Sequence, residues 1–247
     1  MTFDHPRSAA ELDDAVSRFA ALADAVAGDE DVPSCPGWTT RDLIVHLGAT
    51  HRWAAATLLS AQRLADAPSP VVHGSLGDWY AGCAAALLTA IDAVAPDEPI
   101  PNFARINETA SFWARRQLHE TTMHAVDLAQ ALGHGERQWD VGADVAADGV
   151  EEVLGVFFPR MTARGQRPDV RSRVRFDATD RFDSWIIVPS STAVGPPLLK
   201  HGNGDADSSV RGTTVELYLA LWNRIPTDRL RYDSDDARAV LEGPTVP

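Results

Sequence analysis

The sequence predicts an α+β protein with a long helical N-terminal part and a smaller C-terminal part that adds strands. Three observations carry that expectation. Apolar residues recur at helical spacing through most of residues 8–163. The stretch RGQRP at 164–168 then interrupts the pattern as a linker would. Beyond it, VRSRVRFDATD and RFDSWIIVPS alternate apolar with polar residues or run β-branched and aromatic, as strands do.

Ser8 and Glu11 have the spacing of a capping box, ahead of Leu12, Val16, Phe19, Ala20 and Ala23 on one helical face. Pro36-Gly37 breaks the chain. Thr39 and Asp42 form a second capping arrangement, opening a helix over 40–63 with Leu43, His46, Leu47, Thr50, Trp53 and Ala54 on roughly one side. A third helix is expected over 76–94, ending before Pro96. A fourth runs from about 107 to 132, with Gly133 as its C-terminal cap. Four helices of this length with modest loops predict a bundle, whose facing side chains can build a metal site. A fifth helix is expected over 142–163. After the two strands, HGNGDADSS reads as a turn-rich loop and SSVRG as a short strand. Thr213 and Glu216 then cap the apolar helix VELYLALWNRI. The expected domain division is 1–165 and 166–247.

The chain has 247 residues, 45% apolar and 23% charged, the balance of an ordinary soluble globular protein. Its net charge is −13 and Lys200 is its only lysine, with no block of basic residues. That argues against a nucleic-acid partner, which needs clustered cations. No apolar run is long enough to span a membrane. The start MTFDHPRSAAELDD has no basic-then-apolar signal, and two cysteines, Cys35 and Cys83, make no disulfide framework. A reducing cytoplasm is the expected compartment. Oligomeric state is left open.

The residues that carry chemistry are His46, in CPGWTTRDLIVHL, and the pair Glu120 and His124, in LHETTMH. Two imidazoles and a carboxylate suit Zn²⁺ or a related divalent ion. Glu120 and His124 are four apart, so they differ by about 40° around a helix and share a face. His119 and His124 are five apart, about 140° around, which excludes the zinc-protease pattern of histidines at i and i+4. Three protein ligands leave coordination positions open, as a reacting metal requires.

These motifs resemble those of the mycothiol-dependent maleylpyruvate isomerase-like family of the DinB-like metalloenzyme superfamily. The resemblance rests on CPGWTTRDLIVHL, on the run from Glu120 through His124 to Asp127-Leu128, and on the C-terminal GTTVELYLALWNR. It implies an N-terminal DinB-like four-helix bundle followed by a smaller α+β domain. It also implies His46, Glu120 and His124 as metal ligands and mycothiol as the thiol cofactor. Thr213-Thr214 and Asn223 depart from the family's usual small residues, which bears on substrate more than on fold.

The expected chemistry follows from thiol reactivity, since the thiolate and not the thiol is the nucleophile. A metal-bound thiolate would attack a small electrophile. Addition to a double bond, rotation and loss of the thiol gives isomerisation; displacement or ring opening gives S-transfer. Asp127 is expected to orient a ligand imidazole, against the plainer reading of a helix-pairing carboxylate. Arg224 could bring a cation to a carboxylate or to the cofactor, against the plainer reading of a residue facing its own helix dipole. Arg52 and Trp53, one to two turns beyond His46, are pocket-lining candidates, Arg52 toward the cofactor, with surface and core as their ordinary readings. Cys35 reads as packing at a helix entrance, and Trp38 and Trp222 as core anchors. Two other functions compete: a metal-dependent hydrolase using bound water, and a non-catalytic binding module on the same fold.

Overall fold

The computed structural model describes residues 2–65, 70–167, 170–190, 197–202 and 204–246. Pro168 of the expected linker and Asn203 of the expected turn-rich loop lie outside them. The chain divides into two compact units, Phe3–Asp140 and Val141–Pro247, the latter joined by Met1–Thr2. Among the described residues no helix is long and apolar enough to cross a membrane.

The first unit is the expected bundle of four helices: α1 (His5–Ala23), α2 (Thr40–Ser60), α3 (Leu76–Ala93) and α4 (Ala110–Ala131). Helix α1 packs on α3 and α4, and α2 does the same. The core between them is largely apolar, with Leu12, Phe19, Leu43, Leu47, Tyr80 and Leu118 all fully buried. Capping explains most of the boundaries. Thr39 and Asp42 form the expected reciprocal box, Thr39 N donating to Asp42 Oδ2 at 2.9 Å and Asp42 N to Thr39 Oγ1 at 3.2 Å. Gly133 follows α4 with φ of 72°. The expected box at Ser8 is not the start of α1. Asp4 caps it, accepting from Arg7 N at 3.0 Å, with Pro6 in the first turn, and Ser8 is buried inside the helix. Gly48 lets α2 approach α3 closely, since a Cβ there would fall 2.3 Å from the Trp79 ring.

The second unit begins earlier than the composition suggested. Helix α5 (Ala143–Glu152) continues through one π-type turn (Val153–Phe157) into α6 (Phe158–Ala163). This rod packs on α7 (Thr214–Leu221), where Gly149 faces the Tyr218 ring and Phe157 meets Trp222 edge-on, 5.4 Å between centroids. The division therefore falls at Asp140/Val141 and not near 165. The compositional change at 164 marks the passage from helix to sheet inside one unit.

The sheet has five strands in the order β3-β2-β1-β4-β5: β1 (Val174–Ala178), β2 (Ser184–Val188), β3 (Leu198–His201), β4 (Ser208–Gly212) and β5 (Arg231–Tyr232). β1 pairs antiparallel with β2, Phe176 opposite Trp185, and parallel with β4, Phe176 opposite Val210. Val174, Phe176 and Ala178 alternate inward, as their spacing predicts. Strand β4 and the Thr213/Glu216 cap of α7 stand where the sequence places them. β3, β5 and the short helix α8 (Asp235–Ala239) carry no such sequence signal. β3 is mostly exposed and β5 has two residues, so neither shows a clear apolar alternation.

Candidate metal centre

His46 on α2 and Glu120 and His124 on α4 come together inside the bundle unit, with one ligand atom from each lying within 4.8 Å of the others. Glu120 Oε1 is 3.5 Å from His46 Nε2 and 3.4 Å from His124 Nε2. Bonds of zinc length at tetrahedral angles put neighbouring donors about 3.3 Å apart. The two edges at Glu120 are close to that spacing and the third is within 4.8 Å, so this donor set fits a divalent ion. The imidazoles meet edge to face, 5.2 Å between centroids. Their exposure is unequal: the His46 side chain is 41% exposed and that of His124 10%, so the cluster opens to solvent on the His46 side.

Two of the three candidate ligands are held by a hydrogen-bonded neighbour. Arg116, one turn before Glu120, donates from Nη2 to Glu120 Oε2 at 2.5 Å, which leaves Oε1 to the histidines. His124 Nδ1 donates to Asp127 Oδ2 at 2.9 Å, which leaves Nε2 facing Glu120 Oε1. Asp127 is fully buried, and its other oxygen accepts from Ser34 Oγ at 2.5 Å. Cys35 Sγ lies 3.7 Å from Asp127 Oδ2, within hydrogen-bond reach for sulfur. The motif CPGW explains this placement. Trp38 N donates to Cys35 O at 3.0 Å across Pro36-Gly37, and Gly37 has φ of 86°. Proline second and a positive-φ glycine third are the signature of a type II turn. The turn sets Ser34 and Cys35 against Asp127, and Trp38 against the His46 ring with centroids 4.9 Å apart. Cys35 and Trp38 therefore border the site, and Trp38 is half-buried instead of a core anchor.

The electrostatics follow from burial and charge. Burial pushes the Glu120 carboxyl up, but Arg116 and the two imidazoles outweigh it and hold it well below the carboxylate range. Burial pushes the His124 imidazole down, and its bonds to Asp127 and Glu120 reverse that, raising it to about 9 in the metal-free protein. His51 has the ordinary role of a satisfied core histidine. It is fully buried, donates from Nδ1 to Gln117 Oε1 at 2.7 Å, and accepts at Nε2 from Tyr80 at 3.2 Å. Burial lowers its pKa to about 4.

The remaining expected site residues stand elsewhere. Arg52 is exposed on α2, six residues and so about 120° around from His46. Its charge acts on the Cys83 thiol of α3, and the structure does not gather it with the ligands. Arg224 belongs to the C-terminal unit, beyond α7, where Nη1 donates to the Trp222 carbonyl at 2.6 Å. Arg116 and Ser34 were missed by the sequence reading. The i, i+4 spacing of Arg116 to Glu120 is a usable signal. Ser34 gives none, because its partner is 93 residues away.

Residues 9–129 match the family model described as mycothiol maleylpyruvate isomerase N-terminal domain, and residues 144–243 match the companion C-terminal domain. The chain belongs to the mycothiol maleylpyruvate isomerase family. A solved structure of mycothiol-dependent maleylpyruvate isomerase aligns with a TM-score of 0.65 at 15% identity, covering 100% of this chain and 99% of that one. A histidine-to-alanine mutant of the mycothiol-dependent maleylpyruvate isomerase gives the same score and coverage at 14% identity. At that identity the likeness carries the fold. No curated protein matches the chain. For this family member, the two matched segments fall on either side of the division at Asp140/Val141.

Proposed function

We propose that this protein is a metal-dependent enzyme that uses mycothiol to act on a small electrophile, by cis–trans isomerisation or by S-transfer. The observation that carries the reading is Glu120 Oε1, the oxygen that Arg116 Nη2 does not take, placed between two Nε2 atoms at 3.4 and 3.5 Å. Family membership supplies the thiol, and the solved relatives supply maleylpyruvate as the first electrophile to try.

His46, Glu120 and His124 would hold the ion, which supplies a Lewis-acid position that lowers the pKa of a thiol and fixes its sulfur. Asp127 keeps the proton of His124 on Nδ1 and so presents Nε2 as a donor. Arg116 keeps Glu120 ionised and one-sided. The exposed edge of His46 is the side from which a thiol and its substrate approach. A cationic role toward the cofactor or a substrate carboxylate is assigned to Arg224, with Arg52 as the second candidate.

The test is elemental analysis of wild type and Glu120→Ala, followed by mycothiol titration of metal-loaded protein. Near-stoichiometric metal in wild type, lost in the variant, with thiol binding only to the loaded form, is expected. Protein that holds no metal when offered Zn²⁺ sinks the reading. Metal without thiol affinity points to hydrolysis through bound water. Arg224→Met and Arg52→Met should raise KM for mycothiol if these cations bind it; unchanged KM removes them.

A further inference from the structure

His46 differs from the other two candidate ligands in how it is held. Arg116 holds Glu120 and Asp127 holds His124, each through a hydrogen bond. Among the described residues nothing bonds to Nδ1 of His46, whose Nε2 lies 3.5 Å from Glu120 Oε1. Its side chain is also the most exposed of the three. A ligating imidazole ordinarily donates its other N–H to a carboxylate or carbonyl, which fixes the orientation of the ring. Here that partner is lacking, and ring contacts are what remain. His124 meets His46 edge-on with centroids 5.2 Å apart, and Trp38 meets it at 4.9 Å and 59°. Both separations fall in the range of about 4.5–7 Å in which aromatic pairs attract. Of the two, only Trp38 is not itself a candidate ligand. Trp38 stands outside α2, and its backbone is pinned on both sides. Trp38 N donates to Cys35 O at 3.0 Å, and Val32 N donates to Trp38 O at 3.0 Å. Thr40 N donates to Glu30 O at 2.8 Å just beyond. The half-buried indole is thus mounted on a hydrogen-bonded turn, apart from the helix that carries His46.

We propose that Trp38 is a positioning residue: its indole holds the His46 ring in the ligating orientation, the part that a hydrogen bond plays for Glu120 and His124. The inference rests on the metal-site reading and adds a residue to it. A ring contact restrains an imidazole less than a bond to a buried carboxylate does, so His46 is the least restrained of the three.

The experiment uses full-length protein loaded with Zn²⁺, with chelator competition for affinity and long-range proton–nitrogen spectra of the histidine rings. Trp38→Leu should weaken zinc binding by about 2- to 10-fold, the worth of one aromatic pair. It should also broaden or split the His46 ring signals while those of His124 stay in place. Trp38→Phe, which keeps a ring, should recover most of both. Leu87→Ala, in the buried core of α3, is the control for lost stability and should move neither. In wild type, nuclear Overhauser contacts between the Trp38 indole and the His46 ring protons are expected, and they test the contact even if Trp38→Leu does not fold. Their absence overturns the proposal. So does Trp38→Leu with wild-type affinity and unaltered His46 signals, or equal losses in Leu87→Ala. Wild type that binds no zinc fails the metal-site reading itself, and this proposal falls with it.

Discussion

Arg116 and Glu120 are one helical turn apart on α4, and the arginine occupies one carboxylate oxygen at 2.5 Å while the other faces two imidazoles. The pair does more than cap a charge. A carboxylate tied down on one side offers an ion a single oxygen in a fixed place, and its neighbour keeps it ionised despite burial.

Arg116→Met should therefore weaken metal binding by about 10- to 100-fold, the usual cost of losing a group that orients a ligand. The sign of the pH effect is fixed. Without Arg116 the carboxyl pKa rises, so protons compete better and the loss is greatest in acid. It shrinks as pH increases, and Arg116→Lys should recover part of it. Chelator-competition titrations between pH 5 and 8 measure this. A loss independent of pH, with no rescue by lysine, would count against the orienting role.

Asp127 acts on a second candidate ligand, His124. With His124 raised to about 9 in the metal-free protein, metal binding must displace a proton below that pH. Affinity should rise with pH by up to about tenfold per unit until His124 is deprotonated. Asp127→Asn removes the main pull that holds the proton, so that dependence should move to lower pH, while the high-pH affinity falls about 10- to 100-fold. Ser34→Ala, which removes only a hydrogen bond to Asp127, should change both in the same direction by less. Calorimetry in buffers of different ionisation enthalpy counts the released protons. No proton release at pH 7 would refute the assignment.

These two supports show what the sequence could and could not disclose. The pairing of Glu120 with His124 was legible because a helix converts spacing into direction: four residues apart, they share a face by arithmetic. Thr39, Asp42, Thr213 and Glu216 were legible because caps are local. The Ser34–Asp127 bond was not, because it joins a turn to a helix far along the chain. The false start at Ser8 has a local cause too, since Asp4 with Pro6 makes a competing cap one turn earlier. The misplaced boundary arose because a change of composition reports a change of secondary structure. It does not report which helix buries against which, and α5 buries against α7.

His51 gives a stability prediction separate from the metal. Its pKa is about 4 folded and 6.5 in the unfolded chain. Between those values the unfolded state binds more protons, so stability is full above pH 6.5 and is lost as pH falls toward 4. The contribution is about 3 kcal/mol at most. His51→Leu should be less stable at pH 7 by about 1–3 kcal/mol, because Gln117 and Tyr80 lose their partner. It should also lose less on acidification. Urea midpoints from pH 7 to 4 for both proteins decide the matter; parallel curves would refute it.

Gly37 links the CPGW turn to the ligands through conformation alone. Its φ is 86°, and a Cβ there would meet nothing within 4 Å, so any penalty on substitution is backbone strain. Gly37→Ala should cost about 1–2 kcal/mol of stability. Gly37→Asn should cost less, since asparagine tolerates positive φ. If the turn sets Ser34 against Asp127 and Trp38 against His46, metal affinity should fall in the same order, alanine worse than asparagine. A surface control is Ala81→Ser, on the exposed side of α3, which should leave metal affinity unchanged and cost only about 0.5 kcal/mol of stability through helix propensity. Stability loss in Gly37→Ala with wild-type metal affinity would mean that the turn closes the loop but does not position the site.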